Sequence, residues 1–295
     1  MTLPEEVRSG CERTARSARS VRIDLEALGA LDPGPPPELD RRRHHLDAPP
    51  DEVAAYFLTL DTINFGSGWF PTLRKRRTED GTAVSGYFTV AWSLADRFRA
   101  AGPWSNAELR AMRTEEIADT LGQSRDHELM ALFAQALRQL GSFLGERAPH
   151  DVVAQAHGSA ARLARDLAHG MALFDDRGFW KRAQIVPSNL ALAGVATFHD
   201  VDELTIFADN LVPHVLRCDG VLVYSDGLAA LIDAGRPLRF GAQEREIRAC
   251  AVHACRQLAL RLGISERELD HRLWTRGQDP AYKARPRHRC RTVYY

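Results

Sequence analysis

Residues 126–144 read DHELMALFAQALRQLGSFL, and this stretch decides the fold class. Its larger apolar residues recur at the spacing of a helix and share one face, namely Leu129, Leu132, Phe133, Ala136, Leu137 and Leu140. A long helix with one apolar stripe buries that stripe against other secondary structure elements. The stretch therefore predicts a helical core.

Similar patterns predict helices on both sides of this stretch. They cover residues 51–60, 86–100, 105–120, 151–169, 180–193, 203–207, 213–218, 226–234, 244–262 and 265–275. One or two short helices precede a breaker rich in proline at residues 32–37. Strand signals are few: residues 82–87 predict a small hairpin, and residues 221–224 fit either a strand or a helix. We predict a mostly α fold with at most a small β hairpin. It forms a single compact helical domain over residues 50–295, after an N-terminal helical and linker segment at 1–49.

The composition argues against several classes of protein. Lys+Arg and Asp+Glu both number 39, so no net charge favours nucleic acid or an anionic membrane, and we expect neither as a stable partner. The five cysteines show no metal-binding spacing, and neither a disulfide framework nor a metal site is predicted. Nucleotide-binding glycine loops and zinc-protease motifs are missing from the sequence, so we expect no cofactor. A cytoplasmic location is expected because no apolar signal segment or membrane span is present.

A first candidate site follows the helix predicted at 51–60. Residues 61–70 read DTINFGSGWF, which combines a carboxylate, an amide, a glycine-rich loop and aromatics. Either this is a helix end whose aromatics enter the core, or Asp61 and Asn64 offer hydrogen bonds beside an aromatic slot for a planar ligand, with Phe65 and Trp69 as its walls.

A second candidate lies in residues 198–209, which read FHDVDELTIFAD. Two of its acids suit the start of a short helix, which leaves Asp200 and Asp209 as candidates for chemistry. A carboxylate beside apolar residues needs a cationic or donor partner. Lys181 and Arg182 either supply that partner in an ion-pair network or bind an anionic substrate.

Seven motifs in consistent order carry a resemblance to a known family. They are DTINF (61–65), SGY (85–87), WKRAQI (180–185), FHDVDELTIFADNLVPHVL (198–216), GVLVYSDGL (220–228), EREIRA (244–249) and HRCRTVYY (288–295). Residues 50–295 thereby resemble the queuosine salvage proteins, the queuosine 5′-phosphate N-glycosylase/hydrolase family. The resemblance implies a helical fold similar to helix-hairpin-helix DNA glycosylases. It also implies cleavage of the N-glycosidic bond of queuosine 5′-phosphate, with release of queuine.

The implied substrate gives the candidate residues roles. Cleavage builds positive charge on the ribose, and a fixed carboxylate stabilises it; we expect Asp200 in that role, with Asp209 as the second candidate. Asp61 and Asn64 suit the base. The cationic amine of queuine calls for a carboxylate, either Asp209 or Asp226. The phosphate calls for Lys181, Arg182 or the basic C-terminal run, in which we include Arg287 and His288.

Further residues keep two interpretations. Arg248 either pairs with Glu246 inside its helix or contacts substrate, and Tyr224 is either a core residue or part of the site. The family pattern has an aspartate where this chain has Asn189, and aromatics where it has Gly66-Ser67-Gly68. The substrate is therefore either queuosine 5′-phosphate or a related deazapurine nucleotide, and a helical nucleic-acid-binding module without catalysis is the rival from another class.

Overall fold

Helix α3 (Pro50–Thr62) lies at the centre of the computed structural model, which describes residues 1–36 and 38–295. Every residue from Val53 to Thr62 is buried, which requires neighbours on all sides of the helix. Its neighbours are α4 (Gly86–Ala101), α7 (Glu128–Leu144), α8 (Pro149–Ala154) and α10 (Lys181–Leu192). The C-terminal end of α3 thus delivers its last polar residues into the interior.

The other helices surround this centre. They are α1 (Leu3–Ser17), α2 (Leu25–Ala30), α5 (Asn106–Arg110), α6 (Thr114–Thr120), α9 (Ala160–Gly170), α11 (Val212–Cys218), α12 (Asp226–Asp233), α13 (Ala242–Leu262), α14 (Glu266–Arg276) and α15 (Pro280–Lys283). The prediction of a mostly α fold is confirmed. None of the helices in the described part of the chain has the length and apolar character needed to cross a membrane. The cytoplasmic location stays a prediction.

The N-terminal residues pack on the same body. A capping box between Thr2 and Glu5 starts α1, which lies along α13. Strand β1 (Val21–Ile23) then pairs antiparallel with β2 (Leu222–Tyr224), with Val21 opposite Tyr224. This sheet settles the ambiguity at residues 221–224 in favour of a strand. The division of the chain at residue 50 stays a prediction, although residues 1–36 share the core of the body.

Three helix predictions were wrong in part. The helix predicted at 105–120 is divided into α5 and α6, because residues 111–113 are not helical. Residues 204–207 are extended after a short 3₁₀ turn at Val201–Glu203, because side chains from other helices bind their backbone. The amide of Thr205 donates to the side chain of Gln184 at 3.0 Å, and that of Phe207 to Asp270 at 2.8 Å. The helix predicted at 151–169 is broken by His157 and Gly158, which both have positive φ. The predicted hairpin at 82–87 is reduced to one bridge between Arg77 and Ala83.

The C-terminal segment closes over the loop that follows α3. The amide of Gly66 donates to the carbonyl of Tyr295 at 2.9 Å, and a Cβ on Gly68 would lie 2.4 Å from the carbonyl oxygen of Cys290. Only glycine allows so close an approach of two backbones. The glycines at 66 and 68 thus join the loop to the last residues of the described chain.

Candidate active site

A cavity opens where the end of α3, the start of α4, α10, the 207–211 loop and α14 meet. It encloses about 1060 Å³ of space, a figure that includes open solvent at its mouth. Acids, amides, one lysine, one arginine and a wall of aromatics are among the lining side chains. They include Asn64, Phe65, Ser67, Phe70, Tyr87, Phe88, Lys181, Asn189, Phe207, Asp209, Asn210, Asp270, His271, Trp274, Arg287 and Tyr295.

Two carboxylates and a lysine form the charged part of the wall. Asp209 is half-buried, and one of its oxygens accepts a hydrogen bond from the amide of Leu211 at 2.6 Å. Asp270 is buried on α14, where burial first and the nearby Asp209 charge second raise the pKa of its carboxyl to about 8. Lys181 at the first turn of α10 is also buried. Burial lowers the pKa of its ammonium group, and the Asp209 and Asp61 charges oppose that shift.

A network of amides surrounds the fully buried carboxylate of Asp61. Asn189 donates from Nδ2 to both carboxylate oxygens, at 3.0 and 2.9 Å, and Asn64 donates to one of them at 3.3 Å. The ammonium of Lys181 in turn donates to the carbonyl oxygen of Asn64 at 3.1 Å. Burial raises the pKa of Asp61 to about 6, and the hydrogen bonds from Asn189 limit the rise. The network fixes Asn64 and Asn189, both of which line the cavity.

Aromatic rings form the opposite wall. Tyr87 and Phe88 at the start of α4 both meet the indole of Trp274 edge to face, at centroid distances of 5.3 and 5.6 Å. The ring of Phe70 lies over Gly86, where a Cβ would come within 2.4 Å of it. His44, buried behind Tyr87, bonds to its hydroxyl at 3.0 Å. Such a wall suits the face of a planar ring.

The mouth of the cavity carries opposite charges. Arg287 lines the cavity and makes no ion pair or hydrogen bond with any described residue, and its charged neighbours are Asp209, Lys75 and Arg289. Glu38 and Asp40 also line the cavity, but Asp40 already pairs with Arg43 at 3.2 Å. Among these rim charges, Arg287 and the exposed Glu38 are therefore available to a ligand.

The structure brings seven of the predicted residues together. Six of them line the cavity, namely Asn64, Phe65, Lys181, Asn189, Asp209 and Arg287, and Asp61 lies directly behind them.

Asp200, our first expectation for the catalytic carboxylate, lies outside the cavity lining. Its oxygens accept hydrogen bonds from the hydroxyl of Ser159 at 2.7 Å and from the amide of Ala160 at 2.6 Å. The side chain therefore caps the N-terminus of α9, where a carboxylate satisfies amides that lack a helical partner. These bonds account for Asp200 without any chemistry.

Two predicted cations hold the fold together. Arg182 is buried and donates to the carbonyl of Val293 at 2.8 Å, with its guanidinium against the rings of Phe65 and Phe174. Arg248 is also buried, and its ion-pair partners are Asp176 and Glu244.

The expected partner of Arg248, Glu246, instead accepts hydrogen bonds from the amides of Arg19 and Ser20. The side chain at 246 points away from Arg248 because Glu244, not Glu246, lies one helical turn before Arg248.

The remaining predicted residues lie elsewhere. Trp69 donates its indole N–H to Glu128 at 2.7 Å, and Tyr224 packs in the core under the guanidinium of Arg217. Asp226 is exposed at the first turn of α12. His288 is buried behind the lining, and burial lowers its pKa to about 3.

Sequence reasoning missed Asp270, His271 and Trp274, which α14 presents to the cavity. Their spacing offered one signal: positions 270, 271 and 274 share a helix face. The sequence of residues 265–275 is nevertheless typical of an ordinary amphipathic helix, because the acids at 266 and 268 give it a polar face.

Comparison with known proteins adds an independent line of observation. The model of the queuosine salvage protein family matches residues 44–295. The chain is 31% identical to the queuosine 5′-phosphate N-glycosylase/hydrolase of Sphaerobacter thermophilus, with 96% of this chain and 95% of the relative covered. It is 26% identical to the protein of the same name from Bos taurus, with 98% of each chain covered. A match to the protein of that name from Dictyostelium discoideum has 36% identity over 40% of each chain.

Proposed function

The chain belongs to the queuosine salvage protein family, and on that premise we propose that it hydrolyses the N-glycosidic bond of queuosine 5′-phosphate. The products are queuine and ribose 5-phosphate. The observation that carries the proposal is the cavity itself, which is lined by the half-buried carboxylate of Asp209, by a wall of aromatic rings and by Arg287, an arginine with no ion pair or hydrogen bond to any described residue. These groups match the ribose, the base and the phosphate of a nucleotide.

Asp209 is the carboxylate that we assign to the anomeric carbon. As the bond to the base breaks, the ribose gains positive charge, and an anion fixed beside it lowers the barrier. The same carboxylate can take a proton from the water that attacks the anomeric carbon. Asp209 suits this role because it lines the cavity and because the amide of Leu211 fixes one of its oxygens. Asp200 is bound to the start of α9 instead.

Lys181 supplies positive charge beside two carboxylates of this part of the cavity. The charges of Asp209 and Asp61 both act on its buried ammonium group. Burial raises the pKa of Asp61, and the Lys181 charge opposes that rise. Because the backbone carbonyl of Asn64 accepts a hydrogen bond from Lys181 at 3.1 Å, the lysine is also held beside the amides around the base.

The base lies between the amides and the aromatic wall. A guanine-like edge presents both donors and acceptors, and amide side chains can match either. Asn64 and Asn189 are oriented by the buried carboxylate of Asp61, so the direction of their remaining polar atoms is fixed before substrate binds. Tyr87 and Trp274 supply rings for the face of the base.

The ends of the substrate meet the charged rim. Arg287 takes the 5′-phosphate, because it is the lining cation without a partner among the described residues. Glu38 takes the cationic amine of the queuine side chain, because it is exposed at the mouth, whereas Asp40 is already paired with Arg43. This assignment replaces Asp226, which lies on the surface of α12.

Chromatography of the released base tests the proposal. The purified protein is incubated in parallel with queuosine 5′-phosphate, 7-deazaguanosine 5′-phosphate and guanosine 5′-phosphate. Release of queuine at the highest kcat/KM supports the proposed substrate. A preference for another base would keep the glycosylase and change the substrate, and no release from any nucleotide would favour a binding module.

A further inference from the structure

Asp270 is held at the cavity wall by one oxygen only. The amide of Phe207 donates to its Oδ1 at 2.8 Å, whereas Oδ2 accepts no hydrogen bond from any described residue. The side chain is 4% exposed and lines the cavity, so that the second oxygen can reach a ligand there. No role in the reaction described above uses this carboxyl group.

The charges around Asp270 favour its neutral form. Asp61, Asp209 and Asp270 surround the single ammonium of Lys181, so that three carboxyl groups compete for one lysine. Asp61 has the amides of Asn189, and Asp209 also has Arg287 nearby. Among the described residues, Lys181 is the one cation that acts on Asp270, and like charges in a buried site retain a proton.

Its other titratable neighbours do not supply charge. His271 bonds through Nε2 to the hydroxyl of Ser188 at 3.0 Å, and burial lowers the pKa of its ring to about 4. Cys255 on α13 lies behind Asp270, and burial raises the pKa of that thiol well above its ordinary value. Both are neutral at neutral pH, so the pKa of about 8 for Asp270 agrees with the surrounding groups.

The base of the proposed substrate must accept a proton at a different atom from the one that purines commonly use. A 7-deazapurine has carbon in place of N7, so the ring nitrogen on which purines are commonly protonated is missing. When the glycosidic bond breaks, its electron pair goes to the base at N9 and is shared with N3. A group that donates a proton to this edge makes departure easier.

We propose that Asp270 is a second catalytic residue of this site, the proton donor to the departing base. The inference rests on the proposed function. In the step, the bond from C1′ to the base breaks, its electron pair goes to the base, and the proton of Asp270 follows it. A water oxygen forms the new bond to C1′ while its proton goes to Asp209. Proton transfer from Asp209 to Asp270 then restores both groups.

Asp270→Asn tests the assignment with two leaving groups. The amide oxygen of asparagine can still accept from Phe207, so the loop keeps its bond. With queuosine 5′-phosphate we expect kcat to fall by about 100-fold or more. With 4-nitrophenyl riboside 5-phosphate, whose leaving group needs no proton, kcat falls by no more than about 10-fold. Asp209→Asn lowers kcat with both substrates.

Glu268→Gln is the matched control, because it also converts an acid to an amide on α14. Glu268 accepts from Arg272 at 3.0 Å and does not line the cavity. This variant retains wild-type kcat with both substrates. Equal losses for Asp270→Asn with both leaving groups would assign it a structural role and overturn the proposal.

The pH dependence of kcat is a second readout, and it requires only the nucleotide substrate. An acid with a pKa of about 8 is protonated below that pH, so wild-type kcat falls as the pH rises above about 8. Asp270→Asn lacks this alkaline decline. A variant that keeps the decline would overturn the assignment, even if the nitrophenyl substrate is not turned over. A wild-type protein that releases no base from any substrate would instead refute the proposed function, and the assignment with it.

Discussion

Asn189 donates from one amide nitrogen to both carboxylate oxygens of Asp61, at 3.0 and 2.9 Å, inside the protein. Asn189 is a neutral donor against a buried acid, so the pair does not bring two like charges together. It also joins α10 to the end of α3 at the cavity wall. Asn189 thus serves both the fold and the candidate site.

Asn189→Asp should make stability depend on pH. Burial raises the pKa of Asp61 to about 6, so the folded protein keeps a proton that the unfolded chain releases at lower pH. The free energy of unfolding of the wild-type protein therefore falls as the pH rises towards 6. With a second acid at position 189, the free energy of unfolding continues to fall at higher pH. We expect a small loss in the free energy of unfolding at pH 5 and a loss of about 3 to 5 kcal/mol at pH 8.

Urea unfolding at both pH values measures this change. The exchanged pair, Asp61→Asn with Asn189→Asp, restores one donor against one acid and is the control. It should recover most of the stability at pH 8. An equal loss at pH 5 and pH 8 for the single variant would show that charge is not the cause.

Arg248→Met tests the buried ion pair. Arg248 lies between the rings of Phe179 and Tyr295, and its removal leaves Asp176 and Glu244 as uncompensated buried acids. We expect the free energy of unfolding to fall by about 3 to 5 kcal/mol. Arg245→Met, on the same helix but half-exposed, should change it by less than about 1 kcal/mol. Similar losses for the two variants, measured by thermal or urea unfolding, would contradict the ion-pair explanation.

Arg287→Gln tests the phosphate assignment. Loss of a charged hydrogen-bond partner should raise the KM for queuosine 5′-phosphate by about 10- to 100-fold. The KM for queuosine without the phosphate should not change. Arg285→Gln is the control, since Arg285 pairs with Asp233 outside the cavity. Equal effects on both substrates in steady-state kinetics would assign Arg287 a structural role.

Glu38→Gln tests recognition of the cationic side chain. The substrates are 7-aminomethyl-7-deazaguanosine 5′-phosphate, which carries a cation, and its neutral 7-cyano analogue. Because the glutamate is exposed, we expect the KM for the cationic substrate alone to rise by about 2- to 5-fold. Glu26→Gln on α2 should leave both values unchanged. A similar rise with the neutral analogue would rule out a charge interaction.

Sequence patterns predicted the helical fold well because most helices carry their own signals. The stripe of α7 and the capping box at Ser105 and Glu108 are local features, and both are present in the structure. The extended segment at 204–207 was not predictable in the same way. Its backbone binds side chains that lie about twenty and sixty positions away, such as Gln184 and Asp270.

The same limit explains the candidate site. Asp200 and Asp209 lie in one short stretch, and the sequence does not say which one faces the cavity. Asp200 is bound by Ser159 and Ala160, about forty positions earlier, and only the fold brings these groups together. Asp270 is one acid among several on α14. Asp270 differs from those acids in its contact with the 207–211 loop, and a tertiary contact of this kind is not visible in the sequence.

The most direct test is the release of queuine from queuosine 5′-phosphate by the wild-type protein, Asp209→Asn and Asp200→Asn, followed by chromatography. We predict that Asp209→Asn lowers kcat by about 100- to 1000-fold and remains folded. Asp200→Asn should keep kcat and lose about 1 to 2 kcal/mol of stability, because it weakens the cap of α9. The reverse pattern, with Asp200→Asn inactive and Asp209→Asn active, would contradict the account.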